Sequence, residues 1–462
     1  MFKNSRGAEI KGTLRRATPF CILFEIYASE DAPALSDVFP DCQVFLGNRL
    51  AYSGRAVVRN VVDLGTGFLC EARLDEPLEK TQGSLAQKPN VSIAQDFGKF
   101  LHATENMFKV APAFKLAVAD MRTFLLDLQR WTDQIALSDM RGLSEAERAR
   151  FEQQVIQAVQ EPLLSFFGPM FSKFEEACLG VASEADPLYA AYAQRHLHPL
   201  VLCAPFMRRT FEKPLGHAGD FEMVNMMMRD PAEGATLFAK VLNTFFLSTP
   251  PVVAHRNRVA YLKEIIEQET CRVIRQDRRI QILNLGCGPA KEVEDFLRDS
   301  PLSDRADFTL VDFSEDALKS TGKVLNRLKA LLGRNCSIDL IRKSVAQLLK
   351  EELRKPAVGD GKYDLVYCAG LFDYLPDSVC ARLVESLYGM LAGDGLLLVT
   401  NVERSNPSRR WMEYAVDWHL AYRNTAGMLA MVPAGRSEDG VRVETELTGV
   451  NIFLKVRKLA NE

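Results

Sequence analysis

Hydrophobic and polar positions divide the chain into three regimes. Up to about residue 90, short runs at 20–27, 43–46, 51–58 and 67–74 are rich in β-branched and aromatic residues and are separated by Pro, Gly, Asp and Asn. That pattern predicts a small β-sheet or β-barrel, with QKPN at 87–90 as its exit linker. From about Phe97 to Thr270, apolar residues recur at helical spacing with charge on the opposite face, as in FKLAVADMRTFLLDLQRW and ARFEQQVIQAVQEPLLSFFGPMFSKFEEACLG. This predicts a helical bundle, with breaks at Pro187, Pro199, Pro205, Pro214, Pro231 and Pro250-Pro251 and no repeat that would make it a solenoid. From about Arg278, strands predicted at 280–285, 307–311, 337–341, 363–367, 395–400 and 450–456 alternate with amphipathic helices, the signature of a parallel, doubly wound sheet. TGVNIFLKVRK follows directly on RVETEL, so the sheet is expected to end in a hairpin carrying an antiparallel strand.

Composition narrows the class. The 462 residues suffice for two or three domains. A net charge of −3, spread over both signs, implies no polyanion partner, and no basic stripe is interleaved with aromatics, so nucleic acid is not an expected ligand. No stretch approaches the roughly 20 apolar residues of a membrane span. MFKNSRGAEIKGTLRR has basic residues but no apolar run behind them, so no secretory signal is read there. Ten cysteines without CxxC pairs fit reduced thiols in a cytoplasmic protein rather than a disulfide frame or a metal site.

The chemistry starts at ILNLGCGPAKEV (282–293), a buried strand, a glycine turn and a helix start. Gly286 permits an unusual backbone angle, and Gly288 lets a ligand approach the main chain. A dinucleotide fingerprint would place a third glycine where Lys291 stands, and the P-loop pattern is absent. A shortened GxG suits a cofactor without a pyrophosphate, of which S-adenosyl-L-methionine (SAM) is the commonest. Downstream, FTLVDFSEDAL ends a strand at Asp312, where a carboxylate could receive ribose hydroxyls, with Phe313 beside the adenine. Ser344 and Val345 in IRKSV would border the adenine edge. Cys368, Ala369 and Gly370 in YDLVYCAGLFDYLPD would lie beneath the methionine portion. A lone GxG turn is often tight packing and a lone Asp a helix cap, but four strand ends in this order point together to SAM.

Residues 278–462 thus resemble a class I SAM-dependent methyltransferase domain, through NLGCGPA, Asp312, SV and YCAGLFDYLPD. With the two regimes before it, the expected architecture is a multidomain α/β protein with a small N-terminal β-barrel (1–92), a central helical bundle or lid (93–270) and a C-terminal Rossmann-like methyltransferase domain (271–462). One residue departs from the family. Asn284 stands where an acid commonly helps to hold the methionine amino group, together with Gly286, Cys287 and Gly288.

Methyl transfer from a sulfonium needs alignment and exclusion of water more than a base or a metal. The acceptor must therefore be held by residues outside the cofactor frame. In FEKPLGHAGDFEMVNMMMRDP (211–231), His217 and Asp220 open a helix whose Met223, Met226 and Met227 share a face. Capping and a Met-rich core explain this stretch blandly, whereas a lid with an apolar slot explains it functionally. In RRWMEYAVDWHLAYR (409–423), His419, Tyr422 and Arg423 crowd an aromatic segment, either as core or as a polar substrate wall. Together with AHRNR and TGVN these stretches are similar to bacterial enzymes of extracellular-factor biosynthesis. That resemblance covers about 95–462 and implies carboxyl O-methylation of a long-chain 3-hydroxy fatty acid to a methyl-ester quorum-sensing signal. A carboxylate is already ionised at neutral pH. It would need an anchor, for which His217, Arg256, Arg258 and Arg423 are candidates; one arginine could instead hold the SAM carboxylate.

The N-terminal region resembles a PilZ domain through RNVVDLGTGFLCEA. The binding signature is degenerate: Arg15 and Arg16 lack an arginine four residues on, and Gly65 and Phe68 replace its serine and final glycine. Cyclic di-GMP is accordingly not an expected ligand, and a docking or homodimerisation role is preferred. Two alternatives stay open at this level: a SAM enzyme that cyclises its cofactor, favoured by the missing acid at Asn284, and a ligand-sensing regulator built on a SAM fold.

Overall fold

The computed structural model describes residues 2–3, 9–10, 12–26, 33–46, 49–63, 67–78, 101, 109–352, 361–433 and 438–459. The linker expected at 87–90, the domain boundary at 92 and Gly65 of the degenerate signature lie outside the described residues.

Strands β1 (Phe2–Lys3) and β2 (Glu9–Ile10) pair with each other. The next five, β3 (Thr13–Ala17), β4 (Cys21–Ile26), β5 (Val38–Leu46), β6 (Arg49–Asp63) and β7 (Phe68–Leu74), form an antiparallel sheet in the order β3-β4-β7-β6-β5. Period-2 alternation puts Ile22, Phe24 and Ile26 of β4 on one face with Phe39, Val44, Val58 and Cys70, which makes the core of this unit. β6 is long enough to pair with both β5 and β7, and register shifts along both ladders bend it. Among the described residues β3 and β5 do not pair, so the expected barrel is a curled half-barrel.

Among the described residues seven helices of known bounds follow: α1 (Pro112–Ser138), α2 (Glu145–Glu176), α3 (Asp186–Val201), α4 (Pro205–Glu212), α5 (Phe221–Met228), α6 (Leu237–Leu247) and α7 (Pro250–Ile274). Several expected breaks are helix starts. Pro187, Pro205 and Pro250 occupy first turns, where the missing N–H has no helical partner to lose, whereas Pro199 lies inside α3. Ser144 caps α2 reciprocally with Glu147. Phe114, Phe167, Phe171, Phe174, Phe245 and Phe246 form an aromatic core that also takes in Trp411 and Tyr414 from far down the chain. α7 joins two cores. Val252 at its start packs with these helices, and Leu262, Ile265, Ile266 and Val273 pack on the C-terminal sheet.

That sheet contains β8 (Ile280–Leu285), β9 (Ala306–Asp312), β10 (Ser337–Arg342), β11 (Tyr363–Cys368), β12 (Leu391–Val402), β13 (Val441–Thr445) and β14 (Asn451–Arg457), in the order β10-β9-β8-β11-β12-β14-β13. The first five are parallel, and β14 runs antiparallel between β12 and β13, the terminal hairpin that the sequence pattern predicts. Helices α8 (Lys291–Asp299), α9 (Glu315–Leu332), α10 (Val345–Glu352) and α11 (Asp377–Gly389) fill the connections. After β12, α12 (Arg409–Ala415) leaves the sheet to plug into the helical core, and α13 (Thr425–Leu429) returns to it. No single described helix is long and apolar enough to cross a membrane.

Candidate active site

The strand order reverses between β8 and β11, and parallel sheets open a crevice beyond their carboxyl ends at such a point. There β8 runs into the glycine turn. Gly286 (φ 69°) donates its N–H to Val311 O at 2.8 Å, while Gly288 (φ 49°) donates to Asp312 Oδ2 at 2.9 Å. A Cβ added at Gly288 would meet no atom within 4 Å, so that side of the turn faces open space. Asp312 also accepts from Ser314 N at 2.8 Å, and burial pushes its carboxyl above the usual range. Ser344 caps the helix start by accepting from Gln347 N at 3.2 Å, with Val345 following it. Gly370 (φ 91°) donates to Thr400 Oγ1 at 3.0 Å, and a Cβ there would press on the Arg258 guanidinium at 3.1 Å.

These elements surround one cavity of about 670 Å³. Asn284, Gly286, Cys287, Gly288, Asp312, Phe313, Ser344, Val345, Ala369 and Gly370 all line it. Cys368 does not. It is the last residue of β11, fully buried beneath the sheet face, and this corrects its placement at the ligand.

The departure at Asn284 has a local counterpart. Asn284 Nδ2 (3.0 Å) and the Tyr367 hydroxyl (2.8 Å) both donate to Oε1 of Glu292 in the first turn of α8, and Glu292 lines the cavity. A carboxyl group therefore sits beside the position whose acid is missing, although burial raises its pKa. Among the described residues, Asn284 Oδ1 is buried without a donor. An unpaired acceptor next to a carboxyl suits an ammonium. The open side of Gly288, the Asp312 carboxyl and this pair fit a nucleoside bearing an amino-acid tail.

Across the cavity, α7 presents His255 and Arg258. The Arg258 guanidinium donates to His255 Nδ1 at 2.8 Å. Burial, with Arg258 and Arg256 nearby, holds the imidazole well below its ordinary pKa, so it is neutral and carries its proton on Nε2. Asp373 also lines the cavity. It accepts from Val402 N at 2.7 Å, and burial raises its carboxyl to about 6 against the pull of Arg258 and Arg423. His217 lies at the cavity with its ring edge-on to Phe313 at 5.1 Å.

The other expected acceptor residues are elsewhere. Arg256, one residue off the cavity face of α7, donates to Met227 O (3.0 Å) and Leu247 O (2.7 Å), tying the ends of α5 and α6. The His419 side chain is buried away from the cavity, while its carbonyl accepts from Ser36 Oγ of the half-barrel at 2.8 Å. The Tyr422 ring lies under the Arg409 guanidinium at 4.6 Å. Arg423 uses its donors on Asp377, Asn401, Phe372 O and Leu375 O, clamping the 372–377 loop from behind. Trp418 and Leu420, on either side of His419 in the chain, line the cavity instead. Glu292 and His255 were missed in the sequence because each stands in a charged stretch, KEVED and AHRNR, that reads as a solvated helix face, and Asp373 because it reads as a single acid in the apolar LFDYL. Spacing alone did offer one signal, since His255 and Arg258, three apart, share a helix face that Arg256 does not.

Residues 254–433 match the family model of a methyltransferase domain. No curated protein matches the chain. Among solved structures, a possible exported protein from Bordetella parapertussis is 19% identical, with 55% of this chain and 87% of that one covered at a TM-score of 0.40. Magnesium protoporphyrin IX methyltransferase from Synechocystis, solved with bound S-adenosylhomocysteine (SAH), is 12% identical, with 44% and 84% covered at 0.30. The N-methyltransferase NodS from Bradyrhizobium japonicum, also solved with SAH, is 12% identical, with 54% and 98% covered at 0.30. The C-terminal part of the chain thus matches a methyltransferase domain.

Proposed function

We propose that the protein methylates the carboxylate of an amphipathic acid, with a long-chain 3-hydroxy fatty acid as the acceptor class. The observation that carries this reading is the single cavity in which the glycine turn, the Arg258–His255 pair and a largely apolar space meet. SAM supplies an electrophilic methyl group. The residues of the chain hold and align. Asp312 receives the ribose hydroxyls, and Asn284 with Glu292 receives the ammonium. Arg258, oriented by neutral His255, anchors the acceptor carboxylate, which needs no base because it is ionised at neutral pH. Apolar residues such as Met223, Met227 and Leu375 keep water from the reacting atoms.

Incubation of the purified protein with SAM and 3-hydroxypalmitate should give the methyl ester and SAH in equal amounts. Formation of neither, by a protein shown to bind SAH, would exclude this acceptor. Arg258→Gln should raise KM for the acid about tenfold or more while SAH affinity stays within a few-fold. An equal collapse of SAH affinity would place Arg258 on the cofactor's carboxylate instead.

A further inference from the structure

The half-barrel is part of the catalytic cavity. Leu35, Asp37, Val61, Asp63 and Phe68 line the same space as the glycine turn, although more than 200 residues separate them from it in sequence. The wall is fixed by contacts that leave it little freedom. Val38 N donates to Gly216 O at 2.8 Å, next to His217, whose ring meets Phe313 beside Asp312. Ser36, fully buried with φ 64°, hydrogen-bonds the His419 backbone, and Arg73 donates to the fully buried Asp417 at 2.6 Å. Tyr374 of the cavity loop packs directly on the half-barrel core.

We propose that Leu35, Val61 and Phe68 form the acceptor wall of the methyltransferase and set the length and shape of the apolar chain it accepts. On the cofactor assignment above, its groups would occupy the turn, the end of β9 and the start of α10, which leaves the half-barrel side of the cavity to the acceptor. Its apolar side chains line that space together with Met223, Met227, Leu375 and Val379. This inference rests on the acyl-acceptor reading for the identity of the chain, but the wall itself can be probed without turnover.

Phe68 is partly exposed and can be changed with little risk to folding. Phe68→Ala and Phe68→Trp would be assayed for kcat/KM over 3-hydroxy acids of graded chain length. SAH affinity would be measured by calorimetry, and binding of dansyl-undecanoic acid by fluorescence. The larger side chain should cut kcat/KM for the longest acceptors about tenfold and the smaller one should shift the optimum to longer chains, with SAH affinity unchanged. An unaltered length profile in both variants would overturn the proposal. If the wild type esterifies no acid, the acyl reading fails and the probe decides about the wall. Weaker probe binding in Phe68→Trp supports it, and no binding or equal binding overturns it.

Discussion

At the residue scale, the cofactor site balances a lost charge against a neighbouring one. Asn284 cannot attract an ammonium as an acid would, yet it and Tyr367 both donate to one oxygen of Glu292, holding that carboxyl at the cavity floor. Glu292→Gln should weaken SAH about tenfold but leave methylthioadenosine, which lacks the amino-acid tail, unaffected in calorimetry. Equal losses for both ligands would show that the change disturbs the turn rather than the ammonium contact. Asp312→Ala removes a charged acceptor that also satisfies Gly288 N and Ser314 N, so SAH affinity should fall about a hundredfold or more. Retained affinity would refute the ribose assignment. The frame residues were legible because most sit at a strand end, where a near-continuous apolar run stops and a glycine or acid follows. Glu292 was not, because an acid in a helix's first turn has an ordinary capping explanation.

At the element scale, periodicity located the strands of the C-terminal sheet and its closing hairpin, since parallel strands buried on both faces read as continuous apolar runs. It left the segment after β12 open between core and a polar substrate wall, because the crowding of Trp411, Tyr414, His419, Tyr422 and Arg423 marks burial as readily as binding. Here Trp411 and Tyr414 enter the helical core, and Arg423 is a clamp. Arg423→Met would leave Phe372 O, Leu375 O and Asn401 Oδ1 without their donor. It should cost about 3 kcal/mol in urea unfolding and loosen the 372–377 loop that borders the cavity. A variant as stable as wild type that has lost only turnover would return Arg423 to the acceptor site. Arg256 teaches the same lesson on α7. Sequence spacing places it close to Arg258, but a helix turns about 100° per residue, so arginines two positions apart serve different surfaces.

At the scale of the whole molecule, the three regimes meet on one buried carboxylate. Asp417, fully buried, accepts from Arg73 (2.6 Å) and Arg55 (3.2 Å) of the half-barrel and from Gln194 (3.1 Å) of α3. Lys213, at the end of α4, donates to the Val416 and Asp417 carbonyls. No sequence pattern could show this network, because its members are up to 362 residues apart and each reads as a surface charge. Arg73, Arg55 and Lys213 hold the Asp417 carboxyl well below the usual range against the cost of burial. An acid whose folded pKa is depressed stabilises the fold above its unfolded pKa, about 3.9, and loses that contribution as pH falls toward the folded value. Thermal melts should therefore show stability falling below about pH 4. Part of that slope should be missing in Asp417→Asn, which has no proton to take up there. Asp417→Ala should cost about 3–5 kcal/mol at neutral pH, because it strands buried arginines. If the half-barrel were an independent module, Asp417→Ala would melt it away first and leave SAH binding intact. Because the same unit walls the cavity and positions the loop of His217 through Val38 and Gly216, its loosening should instead lower acceptor binding in the same pH and temperature range in which it begins to melt.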